Sequence, residues 1–536
     1  MNVAILELAL IPGLDRNTIM REQRFIPQEP EKELRKRIAA GSINSKDYRQ
    51  LGGVLVLSGN FDEGIRLYQQ AITLASTNMQ KAVATTELGW GFYEYAMDDQ
   101  TKAQTFAENA LMLLSNEGDS HEVLAWRGAA QSLLAHCAVS KNAESGKQLI
   151  HAALETLERV TGNGPMFEGK ATAYYDEATL HLLLGNVDKT ITLCEKFFQC
   201  ELHELEGITG LMVYGNALCA AGRFGEAEQT IEEALRSADE YKSLLANLYS
   251  ELGRIQWRMK RLAEAQQTFQ KALFALAADP YRNRKAHLLK DVYMNLAGVY
   301  YELGDLRGAA ATYQEVVEST IESDPDHCGA QLWLGRCYEE TGAHADARTC
   351  FEKVFILPTA SEEEKLGARG GIARSFYHIR EYRKALTAFR ELLSSYPEED
   401  PRRSNIILWL GHCHEGLGDH GKARESYEDV LGSPLASEEK KLDAREDIAR
   451  SFYHVQEYRK ALTAFTELLS SYPEEYPHRS KIILWLGQCH EGLGNYDKAR
   501  EGYEDVLVSP HALADDKTLA QEGLRRLPPA GNQTSH

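Results

Sequence analysis

Residues 366 to 441 and residues 442 to 517 agree at 56 of 76 positions, so the chain is first of all a tandem copy of itself. The stretch ARSFYHIREYRKALTAFRELLSSY, from 373 to 396, returns from 449 to 472 with three changes. LWLG stands at 332, 408 and 484, which carries the same 76-residue step one unit further towards the N-terminus. Near-identical neighbours restrict the fold sharply. A closed core has a different place for every segment, whereas a stack of units that touch only their neighbours accepts another copy at either face.

Each 76-residue unit splits into halves of 38 that share one skeleton. A Leu or Ile precedes a Gly or Ala, an aromatic or His follows three residues on, then come a turn, an aromatic and Ala with an aromatic four later. Leu334, Gly335, Tyr338, Gly342, Ala347 and Phe351 show it in one half. The small residue of the second segment recurs as Ala227, Ala265, Ala309, Ala347, Ala385, Ala423, Ala461 and Ala499, 38 residues apart in all but one step. Apolar residues within each half recur at three and four, and Gly, Asn or Asp interrupts them, which predicts two amphipathic helices joined by a tight turn. Gly411 and Ala423 are expected to bring the two backbones together, with Leu410, His414 and Tyr427 filling the space around them.

This pattern resembles the tetratricopeptide repeat, W-x2-L-G-x2-Y followed by A-x3-F. The resemblance implies an all-α, right-handed α-α superhelix. About twelve helix-turn-helix repeats are expected, starting near 45, 84, 126, 171, 208, 246, 290, 328, 366, 404, 442 and 480. Residues 45–206 read as divergent repeats and 207–517 as the regular array. The unit here is four residues longer than the family's 34, and the excess falls in connectors such as YPEEDPRRS (396–404) and SPLASEEKK (433–441), where Pro stops a helix and Ser or Asp can cap the next. In residues 518–536, Thr518 to Leu527 is expected to form a capping helix with Leu519, Leu524 and Leu527 facing inwards, ahead of a disordered tail. Residues 1–44 do not match the repeat and read as either a docking tail or an N-terminal cap.

Composition removes several functional classes. A net charge of -20 opposes a phosphate backbone, so nucleic acid is not expected as the main partner. The nine cysteines are scattered and odd in number, which suits a reducing compartment and a cytoplasmic location. MNVAILELALIPGL lacks the basic lead of a signal peptide, and no stretch reaches the roughly 18 apolar residues of a membrane span.

Two motifs imitate chemistry. GPMFEGKA, from 164 to 171, matches G-x4-G-K but has Ala171 where a phosphate loop needs a hydroxyl for magnesium, and residues 146–160 before it read as helix rather than strand. His412, Cys413 and His414 are consecutive, and about 100° separates neighbours on a helix, so they cannot converge on one metal ion. Cys337, Cys413 and Cys489 hold equivalent places and read as packing residues. No nucleophile and base fall at a catalytic spacing. The chain is therefore read as no enzyme, with no catalytic residue, no metal and no cofactor.

In the resembled family the inner groove is lined by the first helix of each pair. Register places Arg254, Trp257, Arg258, Tyr301, Arg336, Arg374, Tyr377, His378, Arg450, Tyr453 and His454 there, together with Glu339, Glu415 and Glu491. Two readings compete. Guanidinium forks and tyrosines can hold a protein or peptide partner. Alternatively each Arg is satisfied by a Glu of the following repeat, Arg374 by Glu415 and Arg450 by Glu491. The expected function is a scaffold or adaptor that binds partners in the groove. Its rivals are a regulator whose N-terminal tail occupies the groove and a nucleotide-dependent subunit using Lys170. Self-association stays open.

Overall fold

The computed structural model describes residues 31–58, 60–95, 100–139, 143–162, 167, 169–200, 202, 204–238, 241–278, 286–322, 324–472 and 478–528. Among them the regular structure is entirely helical, with twelve antiparallel pairs, one helix before them and one after. We call the first helix of each pair A and the second B. Two compact units divide the chain, residues 1–316 and 317–536.

The first unit opens on the helix Glu31–Ala39, which is no free tail. Its Leu34 is fully buried with Leu51, Val54, Leu55 and Leu67 of the first pair, Ser45–Leu57 and Phe61–Leu74. Arg35 forks onto both oxygens of Glu63 at 2.5 and 2.8 Å while also holding Glu31. Residues 1–30, which carry the rest of the expected docking tail or cap, lie outside the described residues.

In the second unit the pairs are Pro325–Glu340 with His344–Ile356, Glu362–His378 with Tyr382–Ser394, Arg402–Gly416 with His420–Gly432, Glu438–His454 with Tyr458–Leu469, and His478–Gly492 with Tyr496–Val508. A helices begin up to six residues before the skeleton does, because their capping signals stand upstream of it. Ser361 accepts the Glu364 N–H while Glu364 reaches back to the Ser361 N–H, a complete capping box. Ser437 caps Glu438–His454 in the same place one unit later. In the connector 396–404, Asp400 accepts the Arg402 N–H at 2.9 Å, and the next helix starts directly after Pro401.

The expected close approach of A and B is present. Ala423 and Tyr427 are fully buried, and a Cβ on Gly411 would stand 2.3 Å from the Tyr427 ring. The same B-helix ring also meets the following A helix. Phe351 lies against both Gly335 and Gly371, and Tyr503 against both Gly487 and Gly523, all at Cβ distances no real side chain tolerates. Each pair thus finishes its core with a residue of its neighbour, which is why one pair cannot stand alone.

The last helix runs Ala514–Arg526, four residues earlier than expected. Leu527 and Ala520 are buried and Leu524 half-buried, but Leu519 is 45% exposed, correcting its inward assignment. Ala520 and Gly523 take the inner face instead, because this helix keeps the register of the A helices before it: Gly523 follows Gly371 by two whole units.

Candidate functional site

The A helices present one face to their own B helix and leave another free of it, and the free face carries the residues picked out by register. In the first unit Arg254 is exposed and bonded at 3.0 Å to Glu251 one turn earlier on its own helix. Arg258 is exposed and Tyr301 half-buried. Trp257 is a packing residue: its ring would lie 2.6 Å from a Cβ on Gly298 of the next A helix.

In the second unit the arginines are engaged, though not with the expected partners. Arg374 donates a fork to Glu339 at 2.7 and 2.9 Å, and Arg450 meets Glu415 at 3.6 Å and Asp447 at 3.2 Å. Glu491 is held by Arg526 of the last helix at 3.2 Å. The pairing therefore runs to the preceding repeat, which corrects the expected Arg374–Glu415 and Arg450–Glu491 pairs. One separation, 35 residues, describes every one of these contacts between repeats, including His412 with Asp447 at 2.7 Å and Lys481 with Glu446 at 2.7 Å. Sequence spacing alone cannot choose the direction, because a Glu stands one turn beyond the equivalent position in both neighbours. The stagger between adjacent A helices makes the choice. Arg336 sits over the Trp333 ring instead, its guanidinium carbon 4.5 Å from the ring centre.

The remaining wall residues gather into two copies of one aromatic cluster. Tyr377 meets the edge of Trp409 at 5.2 Å and of Tyr382 at 5.4 Å, while His378 stacks on His344 at 4.6 Å. Trp409 lies parallel to Phe389 at 5.7 Å, which fixes the platform from behind. One unit later Tyr453 meets Trp485 at 5.1 Å and Tyr458 at 5.4 Å, His454 faces His420 at 6.1 Å, and Trp485 stacks on Phe465 at 5.8 Å. His378 and His454 are exposed at the rim. Partial desolvation by the rings packed against them holds both below the usual imidazole range even with an exposed edge, and for His378 the neighbouring His344 adds to it. His378 and His454 thus stand as neutral rings, each with one N–H donor and one ring-nitrogen acceptor.

Sequence reasoning placed Tyr377, His378, Tyr453 and His454 but missed Trp409, Trp485, His344 and His420. A signal was there: the Trp of LWLG and the His two residues after the turn glycine recur with the 76-residue step.

Lys170 is 3% exposed at the first turn of Lys170–Leu183, with its ammonium 5.9 Å from the Tyr174 ring centre; residues 163–166 and 168 of the loop before it lie outside the described residues. Cys337, Cys413 and Cys489 are fully buried, and burial pushes each thiol up to about 12. Among the described residues no helix is long and apolar enough to cross a membrane.

Family models described as tetratricopeptide repeat match residues 208–278, 293–360, 371–437 and 446–516, together more than half of the chain. Among solved structures, the apo form of RapI is 13% identical with a TM-score of 0.50, over 66% of this chain and 97% of that one. A tetratricopeptide repeat protein from Parabacteroides merdae is 19% identical over 53% of this chain and 99% of its own, with a TM-score of 0.40. The Cut9-Hcn1 hetero-tetramer of the APC/C supplies a match of 15% identity over 92% of both chains, with a TM-score of 0.36. The recurrent A–B pairs, the in-register Ala and Gly contacts and the matched residues agree: this chain belongs to the tetratricopeptide-repeat family.

Proposed function

We propose that the chain is a non-enzymatic scaffold or adaptor which holds partner proteins or peptides against the A-helix wall, the surface that lines the concave groove in this family. The observation that carries the reading is the duplicated aromatic cluster around His378 and His454. A rigid Trp platform, a tyrosine edge and an exposed neutral imidazole offer large apolar contact area with few rotamers to freeze, plus hydrogen-bonding tips, the composition that dominates binding energy at protein interfaces. Because Arg374 and Arg450 are tied into the lattice between repeats, they support this surface and the rings make the contact. Two equivalent clusters 76 residues apart suit a partner with two similar anchors or a long helix spanning both.

A photo-activatable side chain at position 378 or 454 tests this. It should capture a specific partner, whereas the same probe at Thr387 or Thr463, exposed on B helices, should not. Equal capture from both faces, or capture from the B helices alone, would refute the wall as the binding surface.

A further inference from the structure

We propose that Glu158, Glu177 and His181 form a binding site for a divalent first-row cation of the Zn²⁺ type, which fastens helix Lys170–Leu183 to helix Ala143–Thr161. Glu177 and His181 lie one turn apart on the same helix face and are 2% and 5% exposed. Buried polar atoms are normally paired, yet the second carboxylate oxygen of Glu177, Oε2, and Nε2 of His181 are buried without a hydrogen-bond partner. Nε2 stands 3.7 Å from Glu177 Oε1, too far for a hydrogen bond. One donor atom from each of Glu158, Glu177 and His181 falls within 4.8 Å of the other two. Tetrahedral zinc with ligands at about 2.0–2.1 Å sets them about 3.3 Å apart, so the set needs only a modest contraction, and a water completes the four.

A cation already serves the edge of this cluster. Lys189 of helix Val187–Phe197 places its ammonium 2.6 Å from Glu158 Oε1 and 3.4 Å from Glu177 Oε1. It serves the outer oxygens; the Thr161 hydroxyl, which donates to the Leu157 carbonyl, also approaches the Glu177 carboxylate, but no well-formed hydrogen bond reaches Glu177 Oε2 or His181 Nε2. With 44% of its side chain exposed, Lys189 can swing into water when a divalent ion enters. His181 Nδ1 lies 3.2 Å from the Asn186 amide. With that amide turned to present its oxygen, Nδ1–H donates to it and Nε2 carries the lone pair towards the metal, the usual arrangement of a ligating histidine and its supporting partner.

Zn²⁺ added to the full-length, chelator-treated chain should bind one-to-one by isothermal titration calorimetry. Glu158→Gln and His181→Gln should each weaken binding at least tenfold, and Lys189→Gln, which removes the competing ammonium, should tighten it. Saturating Zn²⁺ should raise the melting temperature of the wild type more than that of Glu158→Gln. Glu158 is half-exposed, so its variant reports on ligation rather than on folding. No uptake by the wild type, binding by Glu158→Gln equal to the wild type, or binding unchanged or weakened in Lys189→Gln would overturn the proposal.

Discussion

At the turn between A and B the backbone passes through the left-handed region, where a side chain costs about 1–2 kcal/mol and glycine nothing. Gly222, Gly304, Gly342, Gly418 and Gly494 occupy that place with φ between 75° and 80°. Lys260, Arg380 and Gln456 hold the same place at φ 60°, 64° and 61°, so three turns carry strain that the others avoid. Replacing Arg380 or Gln456 by Gly should stabilise the second unit by about 1 kcal/mol, seen as a raised urea midpoint. A fall in the midpoint would mean that the side chain, and not the backbone, decides at this turn. Ion pairs separate by burial in a similar way. Glu415 is enclosed and serves Arg450 and the Tyr427 hydroxyl at 3.3 Å. Glu415→Gln removes one of Arg450's two counter-charges in a half-buried place, Asp447 remaining, together with the charged acceptor of the Tyr427 hydroxyl, so a loss of about 1–3 kcal/mol is expected. Arg526, 53% exposed, also bonds a single glutamate, and Arg526→Gln should cost less than about 1 kcal/mol. Urea melts of the two variants side by side check the order, and equal losses would contradict it.

The terminal helix shows how much of an element its register decides. Gly523 and Arg526 stand where Gly371 and Arg374 stand two units earlier, and they make the same two contacts, a slot for a B-helix ring and a bond to a wall glutamate. The element is thus an A helix with no B helix after it among the described residues, and its outer face is polar, as suits the end of a stack. The sequence reading saw a cap but set its inner face by hydrophobicity, counting Leu519 inwards. Leu519 is exposed because the inward places go to small residues, Ala520 and Gly523, against which the Tyr503 ring must fit. A chain ending after Pro510 should therefore uncover Tyr503, Leu484 and Val506, which share a core with Ala520 and Leu527. Limited proteolysis should then cut first between 478 and 508, well before any site in the A–B pairs ahead of it. Unchanged resistance of that last pair would show that the terminal helix does not cap.

Legibility across the whole molecule follows from what repetition can and cannot encode. Period, helix pairing and the buried Ala and Gly positions were readable because each is stated many times in the sequence. The direction of the wall ion pairs was not, since Glu339 and Glu415 stand at equivalent places on either side of Arg374 and only the stagger of neighbouring helices distinguishes them. Nor was the cluster at Glu177 and His181, which belongs to one divergent pair and has no second copy to draw attention to it. The same nearest-neighbour logic governs how damage spreads. A Cβ at Gly411 would stand 2.3 Å from a Tyr427 ring that is fully buried and tied to Glu415, so Gly411→Ala should cost about 1–3 kcal/mol. In a closed core that loss would lower amide protection everywhere. In a stack of pairs it should accelerate hydrogen exchange in Arg402–Gly416, His420–Gly432 and the pairs on either side, while the first unit, residues 1–316, keeps its wild-type rates. Exchange measured by mass spectrometry on both proteins decides between the two: faster exchange in Ser45–Leu57 or Phe61–Leu74 would show coupling that reaches far beyond neighbouring pairs.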